Sequence, residues 1–130
     1  MTLLKPSEIY YSQDSIGASF DDGRGIGETL DDIVYKRCSV SSIPTIRVIK
    51  CQIHGSSERW HSGDNRRLWV FKQLERLGYL DQITVGVTYR VGAHSRKFST
   101  QNGGEHVRVR NGGPRGQAYL LPDGYCKACA

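Results

Sequence analysis

No apolar run in this sequence approaches the roughly 20 residues that a helix needs to cross a bilayer. The first residues, M-T-L-L-K-P-S-E, lack the long apolar stretch of a secretory signal. These two absences set the expectation of an intracellular protein, cytoplasmic or nuclear, with no membrane partner, unless the sequence is a domain of a longer exported protein. Internal repeats and low-complexity segments are also missing. At 130 residues the chain is long enough for one compact core and too short for two. The expectation is a single domain over residues 1–125, followed by a C-terminal tail at 126–130.

Metal-binding patterns are scarce. Cys126 and Cys129 form one C-K-A-C knuckle, and a zinc site needs two more ligands at matching distance. Cys38 and Cys51 are separated by what reads as a helix end and a strand, so they make no second knuckle. His54, His61, His94 and His106 stand alone. The knuckle therefore reads as a frayed tail with two free thiols, and no metal ligand set is assigned. A disulfide framework is not expected in an intracellular chain of this size. The Gly-rich loop D-D-G-R-G-I-G, residues 21–27, lacks the Lys-Ser/Thr pair of a P-loop and follows no buried strand, which makes it a weak phosphate signal.

Acidic residues are unevenly distributed. Residues 86–117 hold one acid, Glu105, against Arg90, Arg96, Lys97, Arg108, Arg110 and Arg115. Residues 1–35 hold the reverse: Glu8, Asp14, Asp21, Asp22, Glu28, Asp31 and Asp32 against Lys5 and Arg24. The net charge is +5. A basic rear could track a polyanion, with Arg96, Lys97, Arg108, Arg110 and Arg115 as nucleic-acid contacts. The alternative is a solvated basic face with no partner.

Periodicity supplies the elements. Residues 7–12 are short and β-prone. Leu30, Ile33 and Val34 predict a helix over 28–37, with acids in its first turn and bases in its last. Residues 45–53 read as a strand, 54–58 as a turn and 59–62 as a returning strand. The hairpin runs straight into a helix over 64–77, which shows Leu68, Phe71, Leu74 and Leu77 on one face and Gly78 as its stop. Residues 82–91 alternate apolar and polar side chains with period 2, and H-V-R-V-R, residues 106–110, is a further short strand. The outcome is an α+β fold, a small mixed β-sheet with packed helices. Trp60 and Trp69 read as core.

The start of the second helix concentrates donors. S-G-D-N-R-R, residues 62–67, opens a helix whose first N–H groups and partial positive charge suit an anion. Gly63 allows close approach, and Arg66 and Arg67 offer bidentate donors. As neighbours they lie about 100° apart around the helix and cannot point equally into one small pocket. Asp64 opposes a phosphate in charge. It could cap the helix, act as a base, or hold a metal that bridges to the phosphate. His61 is a candidate acid/base group near neutral pH, against a plain hairpin residue.

This strand–turn–strand–helix order resembles the ParB/sulfiredoxin-like superfamily. P-T-I-R-V, residues 44–48, stands where members carry P-I-x-V. D-N-R-R, residues 64–67, stands where they carry G-E-R-R or G-C-H-R, and S-Q-D-S-I (12–16) and K-F-S-T (97–100) resemble flanking motifs of a ParB-like branch. The resemblance covers about residues 7–110. It implies phosphate or nucleotide binding by Gly63, Asn65, Arg66 and Arg67, with Ser12 and Gln13 across the pocket. The sulfiredoxin cysteine and the ParB glutamate both fall at Asn65, which removes the usual sulfinic acid reductase nucleophile and a general base. The helical regions that follow in chromosome-partitioning members have no room here. The resemblance implies nuclease-like phosphodiester chemistry on nucleic acid with Mg2+, placed first, or a nucleotide-binding hydrolase or phosphotransferase for ATP or CTP. A non-catalytic interaction module is the third expectation. Catalysis, in the first two, would fall to Asp64 and His61.

Overall fold

The computed structural model describes residues 2–51, 58–88, 100, 102 and 104–128. The described residues form a mixed α+β domain with strands β1 (Thr2–Leu4), β2 (Ile9–Tyr10), β3 (Ser15–Ile16), β4 (Arg47–Cys51), β5 (Arg59–Ser62), β6 (Ile83–Val87) and β7 (Arg108–Val109). The helices are α1 (Ile26–Val34), α2 (Asn65–Leu77) and the single turn α3 (Tyr125–Ala128). Five strands make a mixed sheet in the order β1-β6-β4-β5-β2, and β3 pairs in parallel with β7 in a separate two-stranded ribbon. β4 runs antiparallel to β5 and parallel to β6, so the hairpin expected from the sequence sits at the sheet's centre. None of the described helices is long and apolar enough to cross a membrane.

The apolar face expected on α2 is the one it buries. Leu68, Leu74 and Leu77 are fully enclosed, Phe71 nearly so, and Val70 and Trp69 extend the stripe. Each such side chain contributes about 1.5–3 kcal/mol of burial. They meet Leu30, Ile33 and Val34 of α1 and, from the sheet, Val48, Ile83 and Val85 in one core. Ile49 and Cys51 point to the other side of β4 and are buried there, outside that core. Gly78 ends α2 in the left-handed region at φ 94°, which a residue without Cβ adopts freely, and its N–H reaches the carbonyls of Leu74 and Glu75.

Three elements depart from the sequence expectation. α1 begins at Ile26, inside the stretch read as a loop, with the Glu28 carboxylate accepting the Gly25 N–H at 3.2 Å. It ends at Val34, because the N–H groups of Arg37 and Cys38 turn back onto the Asp32 carbonyl, and so Lys36 and Arg37 lie beyond it. β1 and β3 carry no periodic signal at three and two residues, and they form only because β6 and β7 offer them an edge. The expected strands 45–53 and 82–91 appear as β4 and β6, and residues 52–53 and 89–91 lie outside the described set.

The C-terminal stretch is anchored. Asp31 of α1 accepts the N–H groups of Gln117 (3.1 Å) and Ala118 (2.8 Å). Arg76 of α2 donates to the carbonyls of Leu121 (2.7 Å) and Tyr119 (3.0 Å) and pairs with Asp123 at 3.0 Å. Cys126 therefore belongs to a helical turn rather than a frayed tail; its thiol is free, and Cys129 lies outside the described residues.

Candidate functional site

The motif residues interlock before they expose anything. Asn65, the first residue of α2, is buried, and its Oδ1 accepts the Ser12 N–H at 3.0 Å. Its Nδ2 donates to Ser12 Oγ at 2.9 Å, and Ser12 Oγ gives its own proton to the Ser62 carbonyl at 2.7 Å. Thr100 continues the joint: its N–H donates to the Ser12 carbonyl and its hydroxyl donates to Asp14 at 2.6 Å. Residues from S-Q-D-S-I, D-N-R-R and K-F-S-T thus meet in a buried hydrogen-bonded junction that fixes where α2 begins. Ser12 lies wholly inside it, and the side chain of Asn65 is spent on it. Lys97 of the same stretch lies outside the described residues.

Asp64 is likewise committed. Its Oδ2 accepts the Arg47 N–H at 2.8 Å, and its Oδ1 lies 3.4 Å from Arg47 Nη2 and 3.8 Å from Arg67 Nη1. Its own N–H donates to Ser62 Oγ at 2.8 Å. Although it occupies the N-cap position, its side chain caps none of the first-turn N–H groups. The carboxylate ties β4 to the start of α2 and leaves that helix end open. In the fold the carboxylate acts as an anchor, held by the Arg47 N–H and beside the Arg47 and Arg67 guanidinium groups. Among the described residues no three His, Cys, Asp or Glu side chains converge as a metal ligand set.

The open helix end faces a cleft of about 870 Å³. Gly63, Asp64, Asn65, Arg66 and Arg67 form one side, Gln13, Ile16, Gly17 and the 20–24 loop another, and Ser42, Ile43, Pro44 and Arg47 a third. Five arginines line it, Arg24, Arg47, Arg66, Arg67 and Arg110, against Asp21, Asp22 and Asp64, so its walls are net cationic. The two adjacent arginines divide as their helical angle requires. Arg66 donates to the Ser19 carbonyl at 2.7 Å and to Asp21 at 3.2 Å, whereas Arg67 reaches the Thr45 carbonyl at 3.3 Å. They brace opposite walls with the helix end between them. A Cβ added at Gly63 would come no closer than 3.7 Å to the protein, so packing alone does not demand glycine there.

Gln13 is at the cleft, with its Oε1 3.5 Å from Asn65 Nδ2. Arg110 also lines it, held by Ser15 Oγ at 2.8 Å. Arg108 and Arg115 are exposed and do not line it. Arg96 and Lys97 lie outside the described residues. His61 is not brought to the cleft: it is fully buried in the middle of β5, with Nδ1 3.2 Å from the Tyr11 carbonyl and no partner for Nε2 among the described residues. Burial pulls its pKa below the ordinary histidine value, outweighing the Tyr11 hydrogen bond, which acts the other way. It behaves as a neutral core group. Arg24 and Arg47 also line the cleft, and neither is among the ligand donors that the sequence motifs single out. Arg24 is the basic residue of the G-R-G-I-G loop and Arg47 the variable position of P-T-I-R-V, and only the fold brings both to the cleft lining, Arg24 with its guanidinium paired to Asp32. Compared with protein-family models, curated proteins and solved structures, the chain finds no match in any of the three.

Proposed function

We propose that this chain binds a phosphate-bearing ligand in the cleft at the start of α2, with a nucleoside phosphate as the best-fitting class. The observation that carries the reading is the uncapped N-terminus of a 13-residue helix opening between Arg66 and Arg67 in a net cationic cleft. Helix-end N–H groups and guanidinium forks suit phosphoryl oxygens together, each at short range. The volume falls within the range usual for small-molecule sites. Ile16, Phe20, Ile43 and Pro44 add an apolar side, suited to a base or sugar, beside the charged one. The resemblance of D-N-R-R and its upstream strand to the ParB/sulfiredoxin-like superfamily supports the same reading and the corresponding fold.

Binding is better supported than cleavage. Asp64 is held by Arg47 and Arg67, and His61 is buried away from the cleft, so neither favours a general-base role. The described residues offer no ligand set for a resident Mg2+, and in this reading a divalent ion enters with the ligand's own phosphates. A second reading, nuclease-like contact with nucleic acid, draws on Arg110 at the cleft with exposed Arg108 beside it on β7.

A thermal-shift panel tests both: ATP, CTP, GTP and short single- and double-stranded DNA and RNA, each with and without Mg2+. The variants are Arg67→Ala and Gly63→Ala. A ligand at 100 times its Kd stabilises by about 2.7 kcal/mol. The expected result is a shift with nucleotide in the wild type that both variants lose while their unliganded melting points stay within a few degrees. A shift with nucleic acid alone would favour the second reading. No shift with any probe would leave an interaction module that keeps the fold without the ligand.

A further inference from the structure

Arg66 is held in two unequal ways. Its Nη1 donates to the Ser19 carbonyl at 2.7 Å, a part-buried main-chain contact. Its Nη2 donates to Asp21 at 3.2 Å, and the Asp21 side chain is 95% exposed. The first contact orients the guanidinium. The second is a solvent-screened pair of the kind that contributes little.

Asp21 is presented by a tight hairpin. Ser19 and Gly25 bridge in antiparallel fashion, the Phe20 N–H donates to the Arg24 carbonyl at 2.8 Å, and the Gly23 N–H returns to the Phe20 carbonyl at 2.9 Å. Asp22 is used inside the turn, accepting the Arg24 N–H at 2.9 Å. Arg24 is tied outward to Asp32 at 2.9 Å. Of the two tip carboxylates, Asp21 is the one that reaches across the cleft, and it meets the arginine beside the open helix end.

We infer that Asp21 is a built-in competitor for the anion: its carboxylate holds the exchangeable half of Arg66 until a phosphoryl oxygen takes that place. The inference rests on the phosphate-binding reading above and goes further, since it makes Asp21 an affinity-setting residue and couples ligand entry to release of the Asp21 carboxylate at the hairpin tip, with Ser19 staying in place. The exchange is favourable because the incoming oxygen meets Arg66 and the α2 N-terminus together, whereas Asp21 meets Arg66 alone. Ser19 keeps Arg66 aimed throughout, so the guanidinium needs no reorientation.

The test is an NMR titration with inorganic phosphate at low salt on the wild type, Asp21→Asn and Asp81→Asn. Asp81→Asn removes the same charge at an exposed position paired with Lys5, away from the cleft. Asp21→Asn is expected to bind phosphate about fivefold more tightly than the wild type, a gap that narrows as salt rises. Asp81→Asn is expected to match the wild type, and phosphate is expected to shift the amides of residues 20–23 only where Asp21 is present to be released. Equal binding by all three proteins would overturn the competitor while leaving the phosphate site standing. Equal tightening in both variants would overturn it as well, by reducing the effect to net charge. No binding by any of them would overturn the site and the competitor together.

Discussion

Replacing Asn65 by Asp sets two physical effects against each other. A carboxylate at the first position of a helix is favoured by the helix dipole by about 0.3–1 kcal/mol. The buried junction opposes it. Ser12 Oγ has one proton, which goes to the Ser62 carbonyl at 2.7 Å, so Oγ meets Asn65 Nδ2 as an acceptor at 2.9 Å. An Asp carboxylate would set a lone pair against a lone pair. If the Ser12 hydroxyl turned toward it, the Ser62 carbonyl would lose its partner instead. Either arrangement leaves one buried polar group unsatisfied, costing about 1–3 kcal/mol, with a further cost for a charge at a site that is 8% exposed. The net expectation is a loss of about 2–3 kcal/mol at pH 7, which lowers the melting temperature by about 6–12 °C for a chain of this length. The introduced carboxyl has its pKa raised by the same environment. The deficit therefore shrinks as pH falls through that raised value toward about 3.9, because the protonated acid can donate to Ser12 as the amide does. Thermal denaturation of both proteins between pH 4 and 8 reads this directly. A variant as stable as the wild type at pH 7, or a deficit independent of pH, would refute the hydrogen-bond argument and with it the structural role assigned to Asn65.

Other outcomes follow from buried titratable groups. Burial lowers the Lys72 pKa from its ordinary value to about 8, with Glu75 opposing, and its Nζ lies 5.5 Å from the centre of the Tyr11 ring. The unfolded chain binds more protons between about pH 8 and 10, so wild-type stability should rise across that window. Lys72→Met should be more stable by about 1–2 kcal/mol at pH 7, with the advantage fading by pH 10, as read by urea denaturation; a constant difference would count against a desolvated amine. His61 is neutral in the fold and its pKa is lowered by burial. Stability should be complete above about pH 6.5 and decline as pH falls below it, while His61→Gln should flatten that decline. A wild-type curve that is level from pH 7 to 5 would contradict the buried neutral imidazole.

Local patterns along the chain specify the central hairpin, α2 and the core stripe. Each of these rests on a local pattern: strand, turn and returning strand over 45–62, period 3.6 through Leu68, Phe71, Leu74 and Leu77, and glycine at the stop. The sequence also pointed to the α2 start as an anion site, because helix-end donors and adjacent arginines are local properties. Packing of distant segments sets what those same residues are free to do. Asn65, Ser12 and Thr100 are far apart in the chain, so no local pattern could reveal that their polar groups satisfy one another. The Asp64 carboxylate meets an N–H of β4 seventeen residues away in the chain, and His61, a candidate acid/base group by its sequence position, is enclosed by the sheet. The same folding delivered Arg24 and Arg47 to the cleft from a loop and a strand that carried only weak signals. A polar side chain is available to a ligand only where the fold leaves it without a partner, and partners from distant segments are fixed when the chain packs.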